Sequence, residues 1–257
     1  LNADISFKKN SNFENLEGDV KLKFLKNKIK FSFKKDKNIK IFNSFLSNKF
    51  LKTSFDGNIN FNPYFNFDVI LNISDARYGK IFQNFKNIKL EDIFRVNKKI
   101  NGKTRIFYKN KNLNKQYIND LDVLFLSKNG NIEIKKFNLK SNYGNVNIKG
   151  NYLNYDDYGK FNFNFIFNTD NLKKLLKKFR IRNVKNSNPL KIESSGYFIL
   201  PAGKINFNKI SINEKEDVSE NNLIFYKENF NNLISKKSLE SIFDFKILKK
   251  FLELLNN

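Results

Sequence analysis

Asp156 and Asp157 stand side by side, and paired carboxylates are where acid–base chemistry is sought first. Neighbours in an extended strand face opposite sides, and neighbours in a turn are simply solvated, so these two do not make a matched acid and base. The chain contains no His, Cys or Trp. Imidazole bases, thiol nucleophiles, disulfides and the usual zinc ligands are excluded together. Only carboxylates, hydroxyls and Lys remain, and no acid, base and nucleophile share a recognisable spacing. The sequence points away from an enzyme and implies no cofactor and no metal.

The residues whose type and spacing do stand out are apolar. In "GKFNFNFIFNTDNLKKLLKKF" (159–179), Phe161, Phe163, Phe165 and Phe167 occupy every second position. An extended chain puts all four rings on one face and Asn162, Asn164 and Asn168 on the other. The rhythm then changes. Leu172, Leu175, Leu176 and Phe179 fall at helical spacing, with Lys173, Lys174, Lys177 and Lys178 turned away from the stripe and Thr169 or Asp170 placed to cap it. By default these lysines are a solvated helix face; their functional reading is contact with phosphate head groups or a membrane surface.

The same alternation recurs along the chain. Residues 19–25 and 28–34 predict two strands around a turn at Lys26 and Asn27, followed by a short strand at 39–42. The spacing of Phe45, Leu46, Phe50 and Leu51 predicts a helical turn or two over 43–53. From Gly57 onward, Ile59, Phe61, Phe65, Phe67, Val69, Leu71 and Ile73 alternate, interrupted by Pro63, which marks an edge or a break between strands. A short helix carrying Ile81, Phe82 and Phe85 is expected after a cap at Ser74 or Asp75.

Further strands are expected at 103–108, 117–127, 130–139 and 143–152. Ile132 and Ile134 share a parity that shifts before Phe137, as a β-bulge requires. Val146 and Ile148 point inward between Gly144 and Gly150. Strands at 190–199 and 203–212 flank a "PAG" turn, and the acidic 213–222 reads as a solvated loop. From 213 to 257 the chain is mainly helical, with candidates at 222–236 and 238–255; Leu239, Ile242, Phe243, Ile247, Leu248, Phe251 and Leu255 give the second a broad apolar face.

Composition sets the bounds. The 257 residues carry 48 Lys and Arg against 25 Asp and Glu, a formal net charge of +23. Such a balance suits nucleic acid or an anionic membrane. The residues in excess, Lys, Asn, Phe and Ile, are also those of adenine- and thymine-rich codons, and the cations are spread along the chain. Codon bias is thus a competing source of the charge. The chain contains no Met, which reads as a mature or excised part of something longer. It has no apolar run of the roughly 18 residues that span a bilayer, and Leu1 to Ser11 is too polar for a signal peptide.

"FNFDVILNISDARYGKIFQNF" (65–85) and "FNFNFIFNTDNLKKLLKKF" (161–179) each run through an alternating strand, an Asn, a capping pair and a short amphipathic helix ending in Phe. The surrounding units, about 54–85 and 143–179, read as an internal repeat. A repeated strand-to-helix unit argues for an elongated body in which each unit extends its neighbour's sheet.

These phrases, with "GNIEIKKFNLKSNYGNVNIKG" and "DGNINFNPYFNFDV", resemble the C-terminal region of AsmA-like proteins over roughly half the chain. The resemblance implies a bacterial envelope protein anchored in the inner membrane, projecting into the periplasm and related to the bridge-like lipid-transfer proteins that include the TamB-like group. It implies transport of phospholipid toward the outer membrane. Any anchor would lie outside this chain, and the basicity departs from the family pattern.

The expected architecture is therefore mostly β with short helices. An elongated, curled antiparallel sheet would form an apolar groove, with helices at strand ends and at the C-terminus. Its lining would include Ile59, Phe61, Phe65, Phe67, Val69, Leu71, Ile73, Ile132, Ile134, Val146, Ile148, Phe161, Phe163, Phe165 and Phe167. Acyl chains gain about 0.8 kcal/mol per buried methylene on such a surface. The competing reading is a structural or adhesive β-rich surface protein with those rings in a packed core. Specific nucleic-acid binding is disfavoured because the aromatics alternate inward, and an outer-membrane barrel because helices interrupt the strands.

Overall fold

Period-two alternation becomes strand almost throughout. The computed structural model describes residues 2–9, 15–77, 97–110, 118–155, 157–178, 189–200, 202–214 and 217–235. Its strands are β1 (Asn2–Lys9), β2 (Leu16–Phe24), β3 (Asn27–Lys35), β4 (Ile39–Ser47), β5 (Leu51–Asn60), β6 (Asn66–Ala76), β7 (Asn101–Lys109), β8 (Ile118–Lys128), β9 (Asn131–Ser141), β10 (Gly144–Asn154), β11 (Gly159–Thr169), β12 (Leu190–Leu200) and β13 (Lys204–Ile212). Two helices are described, α1 (Leu172–Lys178) and α2 (Glu220–Ser235).

The strands pair in sequence order in one sheet of 13, and β1 does not meet β13, so the sheet curls without closing. Neighbours are antiparallel except β6 and β7, which run the same way from Asn66↔Asn101 to Ile73↔Tyr108. β6 therefore ends at one margin of the sheet and β7 starts at the other. The first margin holds the β2–β3, β4–β5 and β9–β10 turns and α1. The second holds the β3–β4, β5–β6, β8–β9, β10–β11 and β12–β13 turns.

Register, set by the alternation, carries apolar side chains across the sheet in rows. One row passes through Leu71, Ile106, Val123, Phe137, Ile148, Phe165, Ser194 and Ile210 as successive Cα partners. A parallel row passes through Ile59, Phe67, Gly102, Ser127, Ile132, Tyr152, Phe161, Phe198 and Ile205. A one-residue slip would turn either row to the solvent, so burial of one face fixes the pairing. The bulge expected in β9 is present: Ile148 pairs with Phe137 and Gly150 with Ile134, leaving an extra residue in β9.

Several expectations change. The helical turn over 43–53 is absent, because β4 runs through Ser47 and β5 starts at Leu51. A register irregularity between Ile41 and Leu46, with Asn43 at φ 49°, shifts the parity of β4 and so imitates helical spacing. Ser74 and Asp75 are strand residues of β6, not caps; the helix expected beyond them lies outside the described residues, as do Phe179, the 238–255 helix and Asp156. The cap of α1 is Asn171, whose Oδ1 accepts from Lys174 N at 2.8 Å, while Thr169 accepts from Asn171 N. The β2–β3 turn sits at Leu25 and Lys26. Pro63 marks a break, in the turn between β5 and β6. The loop expected over 213–222 is shorter: Asp217 pairs back on Ser211, and α2 starts at Glu220.

Candidate functional site

The apolar rows make one continuous face. Of the fifteen lining candidates, Phe61 and Phe65 sit in the β5–β6 turn; the other thirteen lie on this face. The two turn rings still join it, since Phe61 meets Phe65 at 5.5 Å and Phe65 meets Phe67 at 6.0 Å between centroids. The face also runs through strands outside that set, with Val20, Phe31, Phe33, Ile41, Phe198, Phe207 and Ile210. The same alternation signals those positions. The opposite face is more polar: the ion pairs Glu17–Lys34, Asp68–Lys103, Asp122–Arg105 and Glu193–Lys191 lie there, among scattered apolar residues such as Ile70, Phe107, Leu124 and Ile166.

No second sheet covers this face among the described residues. Its side chains shelter one another. Val20, Tyr108, Val123, Ile134, Tyr152, Phe163, Ile205 and Ile210 are buried, whereas polar-face residues are mostly half-buried or exposed. Phe31 on β3 and Phe55 on β5 approach to 6.1 Å, and Phe163 on β11 and Phe207 on β13 to 6.3 Å. Strands two apart are separated by roughly 9.6 Å, so these rings converge. Convergence places the apolar face on the inside of the curl. The result is a trough.

Glycine shapes its floor. Gly18, Gly57, Gly102 and Gly196 are the direct cross-strand partners of Phe33, Val69, Phe67 and Phe163. A Cβ at Gly18 would come within 2.9 Å of the Phe33 ring, and one at Gly102 within 2.5 Å of the Phe67 ring. The rings fold down over the bare backbone instead of standing upright, which keeps the floor low and smooth. Aromatic cover also compensates for the packing a glycine cannot supply in a strand.

Four hydroxyls on this face are turned back to the backbone. Thr53 donates to the Asn72 carbonyl at 3.0 Å, Ser127 to Ile100 at 3.3 Å and Ser141 to Gly144 at 2.7 Å; Ser44 donates to the Phe55 carbonyl. Polar atoms satisfied in this way offer little to a ligand, so the floor behaves as apolar.

At the β13 end the trough is roofed. Phe230 of α2 packs on Phe198 at 6.2 Å and on Phe207 at 6.0 Å, against a cluster of Tyr152 and Leu200 flanked by Ile132 and Phe161. At the first margin, α1 buries Leu175 and Leu176, while Lys173, Lys174 and Lys177 are exposed and Lys174 lies 5.9 Å from the Tyr143 ring centroid. Lys178 ends the helix. Head-group candidates and trough lining thus meet at one margin.

On the polar face, Asp122 is held between two cations, Lys136 at 2.5 Å and Arg105 at 3.3 Å, and is 15% exposed. Burial pushes its carboxyl up, but the hydrogen bonds and charges of Lys136 and Arg105 outweigh it and hold the carboxyl below its ordinary value. Arg105 also stacks on Phe107 at 4.3 Å. This triad was not legible beforehand, because its members sit at the same outward positions as any solvated strand residue.

No described helix is long and apolar enough to cross a membrane. No family model matches the chain, and no curated protein or solved structure matches it.

Proposed function

We propose that the chain binds or conducts lipid, holding phospholipid acyl chains in the apolar trough as part of outer-membrane biogenesis. The observation that carries this reading is the continuous apolar face of a 13-stranded sheet, roofed by α2 at its β13 end and covered by no second sheet among the described residues. At about 4.8 Å per strand interval its path is roughly 55–60 Å long. A face of that length is costly to leave in water, and acyl chains are its natural complement. Because the contacts are non-directional, a chain can slide between equivalent rows.

The AsmA-like resemblance supports the same reading and adds a periplasmic setting, with an inner-membrane anchor supplied by a segment outside this chain. The lysines of α1 would then face phosphate at the rim. Expression of the chain in a bacterial host, native purification and mass spectrometry of extracted lipid test the proposal. Stoichiometric phospholipid is the expected result. A lipid-free, monodisperse protein that takes up no added phospholipid would overturn it and favour a structural β-rich protein.

A further inference from the structure

The second margin carries exposed aromatic and basic side chains beyond the trough floor, with Phe61 shared between the two. In the β5–β6 turn Phe61 and Tyr64 are 57% and 65% exposed. In the β10–β11 turn Tyr155 and Tyr158 are each 44% exposed, their rings stacked at 4.7 Å. Strand order places two basic points between them: Lys98 and Lys99 before β7, and Lys128 at the end of β8, all exposed. The margin therefore reads aromatic, basic, basic, aromatic over roughly 24 Å. Asp157 is the one acidic residue described at these four points.

Beside this row the polar face carries an open hollow of about 1190 Å³. Lys103, Lys128, Lys135 and Lys149 line it, against Asp68 and Glu133. Lys103 pairs with Asp68 at 3.2 Å and Lys135 with Glu133 at 2.6 Å, so the cationic surplus comes from Lys128 and Lys149. Of the row's lysines, Lys128 also lines this hollow.

We propose that this margin docks on the surface of an anionic phospholipid bilayer. Phe61, Tyr64, Tyr155 and Tyr158 enter the head-group layer, and the lysines of the row and cavity meet the phosphates. Tyr suits that depth because its ring is apolar and its hydroxyl stays wet. Lysines close to an anionic leaflet are attracted within a Debye length. Single-stranded nucleic acid fits the row less well: Tyr155 and Tyr158 stack on each other, and Phe61 is engaged edge-on by Phe65. The inference concerns a bilayer surface and does not depend on lipid in the trough.

The test is co-sedimentation of the full chain with vesicles of phosphatidylcholine alone and of phosphatidylcholine mixed with phosphatidylglycerol. Wild type should sediment only with the mixture. The Lys98→Gln, Lys99→Gln, Lys128→Gln triple variant should bind it roughly a hundredfold more weakly at low salt. The Tyr64→Ser, Tyr155→Ser, Tyr158→Ser variant should also weaken, and Phe24→Ser with Leu25→Ser, at the other margin, should bind like wild type. Circular dichroism fixes which variants are folded, and the exposed lysine changes are the decisive set. Unchanged binding by the lysine variant overturns the proposal, as does failure of wild type to prefer the mixture. Displacement of the protein from vesicles by single-stranded RNA would also overturn it and reassign the row to nucleic acid.

Discussion

The side-chain amide of Asn231 lies against the outer edge of β13 as a further strand would: its Oδ1 accepts from Ile205 N at 2.8 Å and its Nδ2 donates to the Ile205 carbonyl at 3.1 Å. Higher up the same edge, Val218 N donates to the Ile210 carbonyl at 2.9 Å. An edge strand left bare is a template for pairing with other chains. Here helix and bridge occupy it, and Phe230, one residue before Asn231, plants the helix in the aromatic cluster.

Asn231→Ala should therefore lower stability by about 1–3 kcal/mol, because two half-buried backbone groups lose their partners. It should also raise the rate of concentration-dependent aggregation. Urea denaturation and light scattering measure the two effects. Asn231→Asp retains only the acceptor and should fall between variant and wild type.

The glycines of the trough should separate by what lies over them. A Cβ at Gly196 would collide with the Asn206 backbone carbonyl on β13 and come within 3.1 Å of the Phe163 ring. Backbone cannot yield cheaply, so Gly196→Ala should destabilise by roughly 2–3 kcal/mol. The three nearest atoms at Gly102 all belong to the Phe67 ring, which can rotate upward. Gly102→Ala should cost less in a thermal melt and instead raise a ring into the trough.

Ile148 and Phe165 face each other across β10 and β11 in the middle of the floor. Ile148→Glu puts a carboxylate where acyl chains would lie and should reduce co-purifying phospholipid about tenfold, given the penalty for burying an unpaired charge. Asn147→Glu, one residue away on the polar face, should leave lipid content unchanged. Quantitative lipid extraction from the two proteins gives the comparison.

Asp122 should give acid sensitivity. Its carboxyl titrates below its ordinary value in the folded state. Its contribution to stability is thus full above about pH 4, the unfolded value, and is lost as pH falls through the lower folded value. Asp122→Asn should cost about 1 kcal/mol at neutral pH, since both cations are more than a third exposed. That difference from wild type should shrink toward zero below pH 4. Urea midpoints across the acid range read it out.

The sheet was legible in the sequence wherever one face is consistently apolar. Phe161 to Phe167 and Val146 with Ile148 announced β11 and β10, and the broken parity around Ile134 and Phe137 announced the bulge. The same rule failed over 43–53, because the irregularity at Asn43 displaces Phe45 and Leu46 into apparent helical spacing. It also missed β1, although Ala3, Ile5 and Phe7 alternate with Asp4 and Ser6, because that pattern is only five residues long. The direction of β7 left no trace at all: alternation reports which face a residue takes, not which way the strand runs.

The Asn231 clamp depends on tertiary placement, so neither its residue type nor its spacing could reveal it. Twenty-six positions separate it from Ile205. The trough, by contrast, needed only local pattern summed over many strands. Of the lining candidates, Phe61 and Phe65 departed from the floor because Pro63 ends one strand before the next begins.

The parallel junction of β6 with β7 divides the described sheet into two meanders, six strands and seven, joined through the β6–β7 ladder. Each meander is a stack of hairpins whose members need only a neighbour's backbone and a matching inward side. Length in such a body is modular: a hairpin can be gained or lost without redrawing what remains, and the span of the sheet becomes a property that gene duplication can tune.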